Sequence, residues 1–330
     1  MATTLNPIDS LYARLKLAGI STGFARKALP AWWDNAVALT PSGLQQAQMY
    51  FARAFNIDLA SLGQPKGALQ FLVGERKFKL SKNVAEQDVS TSAHFATAMA
   101  KVALRGFGKA QTTVPADPIA LRTELLKHHS CVSLAALLAW CAAAGIPVLH
   151  IDKLPGKKMT GLVVREDDRF AIVLSKKGTP SHHVFHLAHE LGHVALGHLQ
   201  GNGFVADESI GGADTLDADE KEADAYAIRL LNGKDAAYRA GAAVRSGKQL
   251  HTAALAMSKQ EKIDVGHIIL NYGFAQKNMG RAAMALRYIP GEADGMKVIN
   301  SAFFKALDSG LISEDQLDLL HTATGYAPAA

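Results

Sequence analysis

The sequence has 330 residues, of which 48% are hydrophobic, so it can form two or three domains with sizeable cores. It has no run of about 18 apolar residues and no basic-then-apolar start, which excludes a membrane span and a signal peptide at the sequence level. Its two cysteines, Cys131 and Cys141, are too few for a disulfide framework, and the expected location is the cytoplasm.

Positive charge is concentrated in the first part of the chain. Residues 1–130 contain 15 Lys and Arg against 8 Asp and Glu, a net charge of +7, whereas the remainder contains 20 against 22, a net charge of −2. This asymmetry is compatible with an acidic partner such as DNA or RNA. An excess of this size is more often only a solubilising surface, and both interpretations stay open.

Gly and Pro residues divide the N-terminal region into short helices, predicted at 8–17, 21–29 and 42–55. The segment 48–62 resembles the last helix of repressor-type helix-turn-helix domains. Trp32 and Trp33 stand where base-reading side chains would be expected. A protein-contact role and base-specific DNA binding are therefore expected about equally.

The next elements suggest a mixed helix and strand region. A short basic hairpin is predicted within 71–84, followed by a helix at 92–104, a loop at 111–118 and a helix at 133–144. Three short strands follow, predicted at 146–151, 161–165 and 169–174, and Asp167 and Asp168 form a natural turn between the last two.

The segment 186–198 contains the pattern His-Glu-x-x-His. On a helix, His189 and His193 are one turn apart on one face, so both can direct a ring nitrogen at the same metal ion. Glu190 lies beside them without being a ligand, as the general base of a zinc peptidase does. The helix is predicted to begin with Thr179 as cap and Pro180 in its first turn, and to end after residue 199 at the Gly-Asn-Gly of 201–203.

A catalytic zinc site needs a third protein ligand. The metzincin pattern has a glycine three residues after the second histidine and a third histidine three residues further on. Leu196 and Leu199 occupy these positions here, so the pattern is not met. A second predicted helix, 217–231, offers carboxylates instead, and its periodicity turns Glu220 inward and Glu222 outward. Asp224, one turn further, is predicted to hold a ligand histidine by its other ring nitrogen. The alternative is that the acidic residues in the first turn of this helix bind no metal and are only solvated.

These two segments resemble the ImmA/IrrE metallopeptidases, in the sequences FHLAHELGHVALGH and DEKEADAYAIRLL. The resemblance extends over about residues 130–232, although Tyr226 replaces a usual phenylalanine and Asn232 with Gly233 replaces a common Met-Pro. It implies one Zn²⁺ per chain and a zinc endopeptidase of bacterial or phage cytoplasm. The implied substrate is a helix-turn-helix repressor whose cleavage induces stress or anti-phage defence genes, and the implied activator is DNA, such as single-stranded DNA.

The predicted fold class is therefore α+β, with a small twisted sheet packed on the zinc-binding helix in a gluzincin-like core. Four regions are expected: a helical, helix-turn-helix-like domain at 1–64, a basic connecting region at 65–118, the metallopeptidase core at 119–245 and a C-terminal helical region at 246–330. If the strand ending at Leu174 is a sheet edge, an extended substrate could pair with it. The alternative function is a DNA-binding regulatory protein with a structural zinc site and no protease activity. The presence of Glu190 favours the protease, because a purely structural site does not need it.

The C-terminal region is predicted to contain helices at 250–257, 264–270 and 299–308, with a helix-turn-helix-like element at 258–273 closing one side of the cleft. His267 and Tyr272 are candidate donors to the oxyanion of the tetrahedral intermediate. For both, ordinary packing is the favoured alternative.

Cys131 is a candidate regulatory ligand. It precedes the helix that begins near Ser133, where the helix dipole would lower its thiol pKa, so in the resting state it could occupy the fourth position on the zinc. Burial without metal contact is the favoured alternative, and Cys141 is predicted to lie in the core.

Overall fold

A five-stranded mixed sheet lies at the centre of the computed structural model, which describes residues 6–72, 74–79, 86–207, 218–235, 244–290 and 294–327. The strands are β1 (Glu75–Lys79), β2 (Val148–His150), β3 (Gly161–Glu166), β4 (Arg169–Leu174) and β5 (Gly203–Asp207). Their order across the sheet is β1-β5-β3-β4-β2. β1 is parallel to β5 and β2 is parallel to β4, whereas β3 is antiparallel to both β4 and β5.

Helices make up most of the remaining described structure. Most of them begin at an Asn, Asp, Ser or Thr whose side chain accepts a hydrogen bond from an early backbone N–H group. They are α1 (Pro7–Leu17), α2 (Thr22–Arg26), α3 (Pro41–Phe55), α4 (Leu59–Gly63), α5 (Glu86–Gly106), α6 (Pro118–Leu125), α7 (Leu134–Ala143), α8 (Pro180–Ala195), α9 (Ala218–Asn232), α10 (Gly247–Glu261), α11 (Val265–Ala275), α12 (Met279–Leu286), α13 (Gly295–Ala306) and α14 (Glu314–Thr324). Short 3₁₀ segments cover Asn35–Leu39 and Ser309–Leu311. The α+β class predicted from the sequence is confirmed. Within the described ranges, no helix is both long and apolar enough to cross a membrane.

The strands alternate between two cores. In β3, Leu162 and Val164 belong to a core shared with α1, α3, α5 and α13, whereas Val163 belongs to a core shared with α7, α8 and α9. Phe204 and Ala206 of β5 belong to the first core. Because successive side chains of a strand point to opposite faces, the next residue, Asp207, faces α8.

The β3–β4 hairpin agrees with its prediction. Asp167 and Asp168, the turn residues, have φ angles of +48° and +62°. Two positive φ angles in a two-residue loop are typical of a type I′ turn, in which Asp is tolerated. The hairpin brings β3, through Gly161, against α8.

Two expectations about the sheet need correction. In the basic segment 71–84, the described strand β1 pairs in parallel with β5, a distant strand that was not predicted, and residues 73 and 80–84 lie outside the described residues. The strand ending at Leu174 is β4, which lies between β3 and β2 and is not an edge. It therefore cannot accept an extended substrate. Periodicity identifies a strand but not its neighbours.

α8 begins at Pro180 as predicted, but its N-terminal cap and its C-terminal end differ from the prediction. The Thr179 side chain makes no capping bond to the backbone, and its Oγ1 lies 2.8 Å from Nδ1 of His182 instead. The helix ends at Ala195, one turn earlier than predicted, because Gly197 adopts a left-handed φ of +69°. The N–H of His198 then donates to the carbonyl of His193, 3.1 Å away. This is a Schellman motif, and it directs the chain away from the helix axis.

The terminal regions are helical, as expected, with shifted boundaries. α2 is shorter than the predicted 21–29, and α5 and α10 are longer than the predicted 92–104 and 250–257. Trp32 is exposed. Asp217, the predicted cap of α9, lies outside the described residues.

Candidate metal centre

The site is built where α8 crosses α9 at Gly192. A Cβ atom at this position would lie 3.0 Å from the Cα of Ala223, so only a glycine lets the helices approach without a shift of one of them. The close crossing brings Glu220, in the first turn of α9, to the histidines of α8.

Four buried side chains converge at this crossing: His189, His193, Asp207 and Glu220, whose ligand atoms all lie within 4.8 Å of one another. The Nε2 atoms of the two histidines are 3.0 Å apart. Carboxylate oxygens of Glu220 lie 3.5 Å from Nε2 of His189 and 3.3 Å from Nε2 of His193. Asp207 Oδ2 lies 3.4 Å from both nitrogens. The structure therefore brings together the three residues predicted as ligands and adds Asp207.

The spacing of the donors fits a tetrahedral cation. Ligand atoms about 2.0–2.1 Å from a tetrahedral zinc ion are about 3.3–3.4 Å from one another. The five distances measured here lie between 3.0 and 3.5 Å. Nitrogen and carboxylate donors are also the ones that zinc takes in catalytic sites. The residues present thus fit a bound zinc ion.

Each of the two histidines is oriented through its Nδ1 atom. His189 Nδ1 lies 2.9 Å from Asp224 Oδ1, the contact expected from the sequence. His193 Nδ1 lies 2.8 Å from Nδ1 of His198, whose Nε2 is 3.3 Å from a carboxylate oxygen of Glu222. These contacts direct both Nε2 atoms into the donor group. Sequence reasoning missed His198, because the Schellman motif that positions it could not be read from a ligand spacing.

Glu222 lies on the outer side of α9, as its periodicity indicated. Its side chain is 62% exposed, whereas that of Glu220 is 3% exposed. Among the described residues, Glu220 alone of these two belongs to the donor group.

Glu190 lies fully buried next to the donors. Its carboxylate rests against β3 at Gly161, where a Cβ atom would come within 1.6 Å of Oε1. Neither oxygen has a hydrogen-bond partner among the described residues. Burial, followed by the charge of Asp207, raises the pKa of Glu190 well above its usual value, and the two histidines partly oppose this.

The electrostatics of the donors favour a bound cation. Burial lowers the pKa of His193, but the carboxylates of Asp207 and Glu220 more than offset it and raise that pKa to about 9. The pKa of His189 is raised in the same way. Burial opposes ionisation of Asp207, yet the two histidines hold its pKa below the usual range. Proton binding to these imidazoles therefore competes with metal binding.

The two candidate oxyanion donors, His267 and Tyr272, are not part of the donor group found among the described residues. His267 Nε2 is 2.9 Å from Oδ1 of Asn232, and the ring stacks on Phe185, with burial lowering its pKa to about 4. The Tyr272 hydroxyl accepts a hydrogen bond from Arg281 at 3.0 Å. These contacts favour packing roles over the predicted oxyanion roles.

The premise for Cys131 as a regulatory ligand is wrong. Burial and the charge of Asp264 raise the pKa of its thiol, whereas the hypothesis required a lowered pKa. The only donor group found among the described residues contains no sulfur. Cys141 is buried in the core of α7, as predicted.

Comparison with known proteins agrees with this site. Residues 141–245, which are 105 of the 330 residues, match the peptidase M78 family model, described as an IrrE N-terminal-like domain. The matched segment contains α8, β5 and α9, and so all four donors and Glu190. The match supports the ImmA/IrrE resemblance and indicates a peptidase of a metal-dependent family. No curated protein and no solved structure matches the chain.

Proposed function

We propose that this protein is a zinc-dependent endopeptidase that cleaves a partner helix-turn-helix repressor and thereby induces stress or anti-phage defence genes. The observation that carries the enzymatic part is Glu190, a fully buried carboxylate beside the donor group and without a hydrogen-bond partner among the described residues. Burying a carboxylate in this way is costly, and a structural metal site gains nothing from it. The repressor substrate follows from the family resemblance.

In this proposal His189, His193 and Glu220 hold the metal. When bound, zinc would polarise the scissile carbonyl and lower the pKa of water in the site. Glu190 takes a proton from the water whose oxygen forms the new bond to the carbonyl carbon. It then donates this proton to the amide nitrogen as the C–N bond breaks. The raised pKa makes the ionised Glu190 carboxylate a stronger proton acceptor.

Asp224 and His198 act as positioning residues. Each contacts the Nδ1 atom of one ligand histidine, which leaves Nε2 as the metal-binding atom. Glu222 completes the second of these chains through His198. Loss of such a partner is expected to weaken metal binding by about 10–100-fold.

One observation favours a different class of function. With Asp207 included, the group supplies four protein donors, which is typical of closed structural zinc sites. The alternative is therefore a nucleic-acid-binding regulatory protein with a structural zinc ion, for which the net charge of +7 in residues 1–130 would provide the binding surface.

Single-stranded DNA is the proposed activator. In addition to the basic N-terminal part, a cleft of about 860 Å³ between the N-terminal helices and α14 is lined by rings and cations. The rings include Trp33 and Tyr50, on which bases could stack. Three cations line the cleft and are matched by three aspartates, so stacking would contribute more there than charge: Arg26, Lys27, Arg53, Asp34, Asp315 and Asp318.

A cytoplasmic location is part of the proposal. It is motivated by Cys131 and Cys141, which are both free thiols and do not form a disulfide with each other.

The test combines metal analysis with a cleavage assay on the repressor encoded beside this gene. We expect one zinc ion per chain and a single cut in the repressor, identified by mass spectrometry, that is lost with a chelator and restored by zinc. Stoichiometric zinc without cleavage of this repressor or of a panel of helix-turn-helix proteins, with and without single-stranded DNA, would support the structural-zinc alternative.

A further inference from the structure

We propose that Asp207 is a fourth protein ligand of the metal, that it excludes the catalytic water in the resting state, and that its release opens the site. This inference rests on the proposed function, since it assumes a metal held by His189, His193 and Glu220. It assigns a ligand that the His-Glu-x-x-His pattern and the second helix do not supply.

Asp207 and Glu220 are equivalent in their distances to the two histidines. Asp207 Oδ2 is 3.4 Å from Nε2 of each histidine, and the Glu220 oxygens are 3.5 and 3.3 Å from the same atoms. Asp207 is 0% exposed and is held at the end of β5, where its backbone carbonyl accepts a hydrogen bond from the N–H of Thr160. If Glu220 is a ligand on these distances, Asp207 is one as well.

The surroundings of Asp207 exclude a purely positioning role. Carboxylates that orient a ligand histidine contact its Nδ1 atom when Nε2 binds the metal. Those positions are already taken by Asp224 on His189 and by His198 on His193. Asp207 instead faces both Nε2 atoms, on the side where a metal must bind. Among the described residues, its carboxylate has no conventional hydrogen-bond donor and no ion pair except with these two histidines.

A buried carboxylate with so few partners is stable only if a cation compensates it. The position that such a cation would occupy lies between Asp207 Oδ2 and the two Nε2 atoms, each 3.4 Å from that oxygen, and this is the position where the metal would bind.

Four protein donors complete a tetrahedral zinc site and leave no position for water. The Glu190 carboxylate rests against Gly161, which is the partner of Asp207 in the β3–β5 register. Release of Asp207 would therefore open a position within reach of the base. The resting enzyme would bind metal tightly and cleave slowly.

The experiment uses the full-length chain loaded with Co²⁺, which reports its coordination in the visible spectrum, and acetohydroxamate as a probe for an open position. The variants are Asp207→Ala, the nearly isosteric Asp207→Asn, and Asp9→Ala as a control at an exposed position in the first turn of α1. We expect the wild-type and control spectra to resist acetohydroxamate, and the Asp207→Ala spectrum to change with it. Asp207→Ala should also lose at least about tenfold in Co²⁺ affinity, which is the smallest loss seen for outer partners of a metal ligand.

Basal repressor cleavage by zinc-loaded Asp207→Ala should exceed that of wild type. If circular dichroism shows that Asp207→Ala does not fold, the test uses the Co²⁺ affinity of Asp207→Asn and the response of the wild-type spectrum to acetohydroxamate. A wild-type spectrum that responds to acetohydroxamate at once, or a Co²⁺ affinity unchanged in Asp207→Asn, would overturn the assignment of Asp207.

The outcomes separate this inference from the proposed function. A chain that cleaves the repressor but fails these tests refutes only the role of Asp207. A chain that binds no metal refutes both. If Asp207→Ala opens the site and still cleaves nothing, the release step is wrong and the structural-zinc alternative gains support.

Discussion

Replacing Glu190 with Gln should preserve metal binding and lower the cleavage rate by about 10²–10⁴-fold, which corresponds to about 3–5 kcal/mol of transition-state stabilisation. The structure supports a clean perturbation. Gln has nearly the same shape as Glu, and Glu190 has no hydrogen-bond partner among the described residues, so its replacement leaves no described donor unpaired. All four residues of the donor group remain: His189, His193, Asp207 and Glu220.

The assay is cleavage of the partner repressor by protein whose zinc content has been measured. Glu314→Gln, at an exposed position in the first turn of α14, is the matched control and should cleave at the wild-type rate. His193→Ala should behave differently from Glu190→Gln, since it removes a donor and should lose both metal and activity. A fully zinc-loaded Glu190→Gln protein that cleaves as fast as wild type would refute the assignment of the base.

Three further predictions follow from other parts of the structure. Gly161→Ala should lower the cleavage rate by about 100-fold at unchanged zinc affinity, because its Cβ would displace the Glu190 carboxylate and a shift of about 1 Å is enough for such a loss. Gly280→Ala, which has open space around its Cβ, is the control. Equal cleavage rates for the two variants would contradict the placement of the base. His94 stacks on Phe71 and has its pKa lowered by burial to about 4 from 6.5. As the pH falls between these two pKa values, the unfolded chain binds a proton at His94 before the folded protein does, so acid destabilises the fold. His94→Phe should remove about 2 kcal/mol of this destabilisation between pH 7 and pH 4.5, measured by urea unfolding. An unchanged pH dependence would contradict the prediction. Single-stranded DNA should bind and stimulate cleavage, and the slope of log affinity against log salt should be about −0.7 per phosphate contact. Replacing Arg26, Lys27 and Arg53 with Ala should reduce the size of that slope by at most about 2, since aspartates in the cleft compete for these cations. If single strands neither bind at low salt nor change the cleavage rate, the activator lies elsewhere.

Local signals in the sequence were sufficient for much of the site. The start of α8 follows from Pro180, and one helical turn relates His189 to His193. The periodicity of α9 places Glu220 on its inward face and Glu222 on its outward face without knowledge of any tertiary contact. The structure agrees, since Glu220 is only 2% exposed.

What the sequence did not reveal depends on contacts between distant segments. Asp207 has no spacing relation to the other donors, and it points at them only because β5 pairs with β3 in a register that places it opposite Gly161. The parallel pairing of β1 with β5 is equally non-local, and the local hairpin predicted within 71–84 did not include it. His198 lies one residue away from the position of a third metzincin ligand, and only the Schellman motif explains its contact with His193.

The metal and the base of this site are coupled through their electrostatics. The negative charge of Asp207 raises the pKa of Glu190, and protonated His189 and His193 partly oppose it. A divalent cation among the donors would replace those protons, neutralise Asp207 and lower the pKa of Glu190 toward the range of a carboxylate base. Without the cation, burial and the charge of Asp207 favour the protonated form of Glu190, which cannot accept a proton from water.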